Sequence, residues 1–122
     1  MDHSKEYLAL VEDAKGRISE CTIDDVLARQ KRGDKFRLID TREDDEWRAG
    51  RARGAEHIGR GVIERDIVEK APNKDEELIL YCGGGFRSAM AADNLQKMGY
   101  KRVFSLAGGW REWTKRGQPI ER

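Results

Sequence analysis

Leu78-Ile79-Leu80-Tyr81-Cys82-Gly83-Gly84-Gly85-Phe86-Arg87-Ser88 is the segment on which the reading of this chain turns. Its first five residues form an unbroken apolar run. That run is short enough for a strand and predicts one buried on both faces, ending at Cys82. A helical stripe follows, with Ala91, Ala92, Leu95 and Met98 on one side and Gly99 closing it. The helix is expected to begin about six residues after Cys82. Three consecutive glycines fill the connection. The pattern is strand, thiol, glycine-rich turn, helix.

Outward from this segment, Phe36-Arg37-Leu38-Ile39-Asp40 and Val103-Phe104-Ser105-Leu106 read as two further buried strands, and Ala55-Glu56-His57-Ile58 as a weaker one. Tyr7, Leu10, Val11, Ala14 and Ile18 have helical spacing, weakened near its end by Gly16. Thr22 with Asp25 forms a capping-box pattern ahead of Ile23, Val26, Leu27 and Gln30, and Gly33-Asp34 stops that helix. Trp110 and Trp113 fall on a short last helix. Short apolar strands alternating with amphipathic helices predict an α/β fold, a mainly parallel central sheet with helices on both faces. In such a sheet ligands bind beyond the carboxyl ends of the strands. Those ends carry Asp40-Thr41-Arg42-Glu43, the Cys82 loop and Ala107-Gly108-Gly109-Trp110.

A length of 122 residues is that of one domain. Lys plus Arg number 24 and Asp plus Glu 23, a formal net charge of +1, which offers no global attraction to nucleic acid or an anionic membrane. No apolar run approaches the roughly 20 residues a membrane helix needs. The start, Met1-Asp2-His3-Ser4-Lys5-Glu6, has no apolar stretch behind a basic one, so no secretion signal is expected. Cys21 and Cys82 could pair. Without such a signal they read as reduced thiols in the cytoplasm.

The chemistry concentrates at Cys82. Glycines let the backbone turn sharply and aim successive N–H groups inward. With a helix N-terminus behind them they make an anion cradle, and such surroundings favour thiolate over thiol. Arg87 brings a permanent cation with a planar donor fork. The constellation reads as a nucleophilic sulfur beside an anion site. The plainer reading stands next to it: a buried inert thiol, a flexible glycine turn, and Arg87 as a solvated residue or a structural partner of Asp40.

At these residues the sequence resembles the rhodanese family of single-domain sulfurtransferases. The Cys82-Gly83-Gly84-Gly85-Phe86-Arg87-Ser88 loop is similar to the family's, with Gly three residues after Cys, Arg five after, and then Ser. Leu38 to Glu43 resembles the family's Asp-x-Arg segment, and Leu106-Ala107-Gly108-Gly109-Trp110 with Trp113 its closing segment. The resemblance runs from about Ile18 to Trp113. It implies a rhodanese-like domain over residues 18–122 and an N-terminal helical extension over 1–17. The sequence departs from the pattern at Arg51-Ala52-Arg53, where the family often has His, Ile and Pro, with consequences for the local turn and for specificity. The loop also lacks a basic residue beside the cysteine, leaving Arg87 as its only cation.

The resemblance implies a covalent, two-step reaction without metal or organic cofactor. Cys82 takes a sulfur from a small anionic donor such as thiosulfate and passes it to cyanide, a thiol or a sulfur-accepting protein. Cys82 is the nucleophile. Gly83, Gly84, Gly85, Phe86, Arg87 and Ser88 bind the substrate, and Asp40 and Arg42 brace the strand ends. The rivals are a persulfide carrier or a regulatory module on the same scaffold, and a cysteine phosphatase or arsenate reductase. The last two use five residues between Cys and Arg, where this chain has four. Cys21 reads as a core or surface thiol, His57 as a packed side chain, His3 as part of a frayed end without a role, and both tryptophans as core.

Overall fold

The structure is a computed structural model and describes residues 3–122. Met1 and Asp2, which belong to the start examined for a secretion signal, lie outside the described residues. Five strands form one parallel sheet: β1 (Ser19–Cys21), β2 (Arg37–Asp40), β4 (Glu56–His57), β5 (Leu78–Tyr81) and β6 (Val103–Leu106), in the order β1-β6-β5-β2-β4. A two-residue ribbon pairs β3 (Arg51–Ala52) antiparallel with β7 (Ile120–Glu121). Among the described residues no helix is long and apolar enough to cross a membrane.

Strand β5 lies in the middle, paired with β2 and β6, and all four of its residues are buried. Its side chains alternate between two cores. Leu78 and Leu80 join Ile39, Ile63, Ile67, Ala91, Leu95 and Tyr100 on one face. Ile79 and Tyr81 join Ile23, Val26, Leu38, Leu106 and Trp113 on the other. The first face is covered by α4 (Ile63–Lys70) and α5 (Phe86–Lys97), the second by α2 (Ile23–Arg32) and α6 (Gly109–Lys115). The expected parallel sheet with helices on both faces is what the chain adopts.

Several boundaries shift. Helix α1 (Lys5–Lys15) is capped by Ser4 and stops before Gly16, so Ile18 is not helical. It packs along α5 and buries Val11 and Ala14. Helix α5 begins at Phe86, not six residues after Cys82, because Gly85 takes the left-handed conformation at φ 97° and completes the turn early. Five elements go beyond the sequence reading, the ribbon strands β3 and β7 among them. Strand β1 is a polar edge strand, α3 (Asp44–Ala49) buries no residue fully, and α4 has only Ile63 and Ile67 buried. The capping box of Thr22 and Asp25 and the left-handed cap at Gly33 form as read.

Candidate active site

Because β5 is central and parallel, its carboxyl end opens at the middle of the sheet edge, and Cys82 is the first residue beyond it. The Cys82 side chain is buried, and its Sγ accepts N–H groups of its own loop from Gly85 at 3.1 Å and Ser88 at 3.4 Å. The Ser88 hydroxyl lies 3.5 Å from the sulfur and 2.8 Å from the hydroxyl of Ser105 on β6. This buried serine pair ties the first turn of α5 to the sheet beneath the thiol. Among the described residues, the N–H groups of Gly83, Gly84, Phe86 and Arg87 have no protein acceptor. The loop is therefore a ring of donors, two used by the sulfur and four open.

The loop is held from behind by the third strand end. Trp110 N–H donates to the Cys82 carbonyl at 2.7 Å and Arg111 N–H to the Gly83 carbonyl at 3.0 Å. So close an approach requires Gly109: its φ is 49°, and a Cβ there would overlap the Cys82 carbonyl. The carbonyls of Cys82 and Gly83 face α6, whereas the amides of Gly85 and Ser88 face the sulfur, which gives the cradle its polarity.

Asp40 and Arg42 form a buried bidentate pair, with Arg42 Nη2 donating to Asp40 Oδ2 at 2.8 Å and to the Gly50 carbonyl at 2.6 Å. The Arg42 guanidinium sits 4.4 Å from the Trp110 ring centroid. Thr41, which the sequence did not single out, donates from both N–H and hydroxyl to the Tyr81 carbonyl. These residues support the loop from the neighbouring strand end and do not line the cavity above the sulfur.

That cavity measures about 820 Å³ and is lined by His3, Tyr7, Glu46, Cys82, Gly83, Gly84, Phe86, Arg87 and Arg111. Arg87 does not pair with Asp40, which is taken by Arg42. Its fork meets Glu46 of α3, at 2.7 Å from Nη1 to Oε1 and 3.3 Å from Nη2 to Oε2. The Arg87 hydrogen bonds hold the Glu46 carboxyl below its ordinary range. Nor is Arg87 the only cation at the loop: Arg111 reaches over Gly84. His3 also has a place, with its ring 5.0 Å from Tyr7 and 5.2 Å from Phe86. Burial, and then the neighbouring Cys82, push the Tyr7 hydroxyl above its ordinary value, so it stays protonated at neutral pH. Glu46, Arg111, His3 and Tyr7 come from three other helices and their flanks, and no sequence motif joins them to Cys82.

The remaining residues are structural. His57 stacks on Trp47 at 4.9 Å and contacts the Arg42 carbonyl. Trp113 is buried, and Trp110 is half-buried beneath Arg42. Cys21 lies in β1, away from the cavity, and burial pushes its thiol up to about 12.

Residues 22–116 match the family model of the rhodanese-like domain. YrkF, a candidate sulfur carrier protein of Bacillus subtilis, is 33% identical over 81 residues, covering 66% of this chain and 43% of its own length. A candidate mitochondrial thiosulfate sulfurtransferase of Schizosaccharomyces pombe is 32% identical over 100 residues, 72% of this chain and 70% of that protein. The chain thus spans less than half the length of the first relative and about two thirds of the second. A solved structure from Rhodopseudomonas palustris, described as a protein of unknown function and possible tyrosine phosphatase, superposes with a TM-score of 0.82 at 30% identity, over 99% of this chain and 98% of that one. The chain belongs to the rhodanese-like domain family.

Proposed function

We propose that the protein is a sulfurtransferase in which Cys82 carries the sulfur as a persulfide. The observation that carries this reading is the donor ring: Cys82 Sγ sits at the floor of a cavity, held by two N–H groups, with four more open around it. In the first step the Cys82 thiolate attacks the outer sulfur of a donor such as thiosulfate. The S–S bond of the donor breaks, sulfite leaves with the bonding pair, and Cys82 holds the transferred sulfur. The open amides of Gly83, Gly84, Phe86 and Arg87 are placed to hold the negative outer sulfur, a preorganised electrostatic role. In the second step an acceptor thiol or cyanide attacks that sulfur and the Cys82 thiolate returns, a ping-pong sequence.

The size of the cavity bears on the acceptor. About 820 Å³ is far more than one sulfur atom or cyanide requires, which favours an organic thiol or the segment of a sulfur-accepting protein. A pure persulfide carrier would use the same residues and differ only in its acceptor. Two unpaired thiols, a half-buried Cys21 and a buried Cys82, fit a reducing cytoplasm.

The test is the intact mass of the protein after exposure to thiosulfate or hydrogen polysulfide. One added sulfur atom, mapped to Cys82 and removed by cyanide as thiocyanate, is the expected result. A folded protein that takes up no sulfur from either donor overturns the proposal.

A further inference from the structure

We infer that Arg111 selects sulfur acceptors that carry an anionic group a few bonds from the thiol. The inference rests on the transfer reaction proposed above. Two arginines line the cavity. Arg87 is spent: Glu46 holds both ends of its guanidinium fork. Arg111 is not: among the described residues its guanidinium forms no ion pair and no hydrogen bond, while its position is fixed by its backbone, whose N–H donates to the Gly83 carbonyl. Its guanidinium lies against Gly84, where a Cβ would stand 3.3 Å from Nη1. The charged fork therefore overhangs the loop that holds the sulfur. Among the described residues Glu46 is the only carboxylate lining the cavity and Arg87 already compensates it, which leaves the Arg111 guanidinium as the unpaired side-chain cation there.

Part of the wall is aromatic, formed by His3, Tyr7 and Phe86, whose rings contact one another. An acceptor with a short carbon skeleton would thus meet three fixed features. The persulfide lies at the floor, an apolar wall covers the skeleton, and an uncompensated planar cation is positioned for a carboxylate or sulfonate. In the transfer itself R–SH and Cys82–S–SH become R–S–SH and Cys82–SH. The acceptor sulfur attacks the outer sulfur, the bond between the two persulfide sulfurs breaks, and the proton balance closes without any co-reactant. Arg111 takes no part in the bond changes and holds the distal anion.

The experiment separates this inference from the reading beneath it. Protein is first loaded with sulfur from hydrogen polysulfide and the added mass confirmed. It is then discharged by three thiols of similar size: 2-mercaptoethanesulfonate, 2-mercaptoethanol and cysteamine. Each rate constant is compared at equal thiolate concentration. Wild type is expected to favour the sulfonate over the neutral thiol by about two- to fivefold at low salt, the factor corresponding to an exposed ion pair, and to lose the preference as salt is raised. Arg111→Gln is expected to reach the same loaded mass given time and show no preference, and Arg111→Glu to favour cysteamine. Failure to load defeats the transfer reading and this inference with it. Normal loading with equal rates in wild type, or a preference that survives Arg111→Gln and vanishes in Arg87→Gln, overturns the assignment to Arg111 and leaves the transfer reading intact.

Discussion

Glu46 grips both terminal nitrogens of Arg87, at 2.7 and 3.3 Å, across the wall of the Cys82 cavity. The two residues lie 41 positions apart and meet only because α3 and the first turn of α5 face the same opening. Removing the arginine therefore does two things at once. It deletes a cation and leaves a carboxylate facing an anionic donor. Arg87→Ala is expected to lower kcat/KM for thiosulfate several-fold, through the unpaired Glu46 carboxylate left facing an anionic donor. Arg87→Lys should recover only part of this, since an ammonium cannot span both oxygens. Adding Glu46→Gln to Arg87→Ala should restore a further part by removing the orphaned charge. Steady-state kinetics on the double-mutant cycle decides the matter. No recovery in the double variant would mean that Arg87 contacts the donor directly.

The same pair has a pH signature. Glu46 is held below its ordinary value chiefly by the Arg87 hydrogen bonds. A depressed carboxylate contributes stability that is present above its unfolded value, about 4.3, and is lost as pH falls through the folded value. Thermal unfolding of wild type and Glu46→Gln should therefore differ most at neutral pH and converge below about pH 4. A constant difference across that range would show that the pair contributes through packing and not through charge.

The two thiols should separate completely by reactivity. Cys21 is pushed up to about 12 by burial, with Asp25 adding to it, so almost none of it is thiolate at pH 7. Cys82 accepts two N–H groups and opens onto the cavity. Iodoacetamide at neutral pH is expected to label Cys82 and spare Cys21, and mass mapping reads the outcome. Cys21→Ser should keep most sulfur transfer, whereas Cys82→Ser should abolish it while remaining folded. Rapid labelling of Cys21 in the native protein would contradict its raised thiol in β1.

What the sequence disclosed follows the distance over which the chemistry is encoded. Cys82 and its cradle occupy seven consecutive residues, so strand, turn and helix N-terminus were legible together. The central strands were legible because they are buried on both faces and read as unbroken apolar runs. Strand β1 was not, since Ser19-Glu20-Cys21 is a half-exposed edge recognisable only by its pairing with β6. Helix α4 carries only a short signal, the i, i+4 pair Ile63 and Ile67. Glu46 and Arg111 could not be read, because the pairing of Glu46 with Arg87, 41 positions away, and the approach of Arg111 to Gly84 are decided by topology. The apparent sequence partner of Arg87, Asp40, is completely buried beneath its own arginine.

That buried pair should dominate the stability of the strand ends. Asp40 is fully buried and Arg42 nearly so. Asp40→Ala would leave a guanidinium in the interior with only the Gly50 carbonyl to receive it. The expected cost is about 3–5 kcal/mol, the range for breaking a buried ion pair from one side. Gly109→Ala should be costly for a different reason. The left-handed backbone and the overlap with the Cys82 carbonyl together should cost about 1–3 kcal/mol and move the loop, so activity falls along with stability. Urea denaturation measures both, and a neutral Gly109→Ala would show that α6 can retreat from the loop.

The size of the donor ring separates sulfur transfer from phosphoryl chemistry, the activity suggested in the description of the Rhodopseudomonas palustris structure. Four residues lie between Cys82 and Arg87. Two of the amides in the ring, those of Gly85 and Ser88, already point at Sγ, and the Arg87 fork is closed by Glu46. A phosphoryl group on Cys82 would bring three charged oxygens to a loop one residue shorter than the five-residue phosphatase loop. An oxygen left without donors costs about 1–3 kcal/mol or more, and the arginine that should span two of them is engaged elsewhere. Wild type is therefore expected to hydrolyse aryl phosphates no faster than Cys82→Ser while forming thiocyanate from thiosulfate and cyanide. Inserting one glycine between Gly84 and Gly85 widens the ring and should weaken sulfur transfer. Adding Glu46→Gln to that insertion releases Arg87 and should raise any phosphate hydrolysis above the insertion alone. Both activities are measured on all four proteins. Efficient, Cys82-dependent phosphatase activity in wild type would reverse the assignment, and sulfur transfer indifferent to the insertion would show that ring size does not select the substrate.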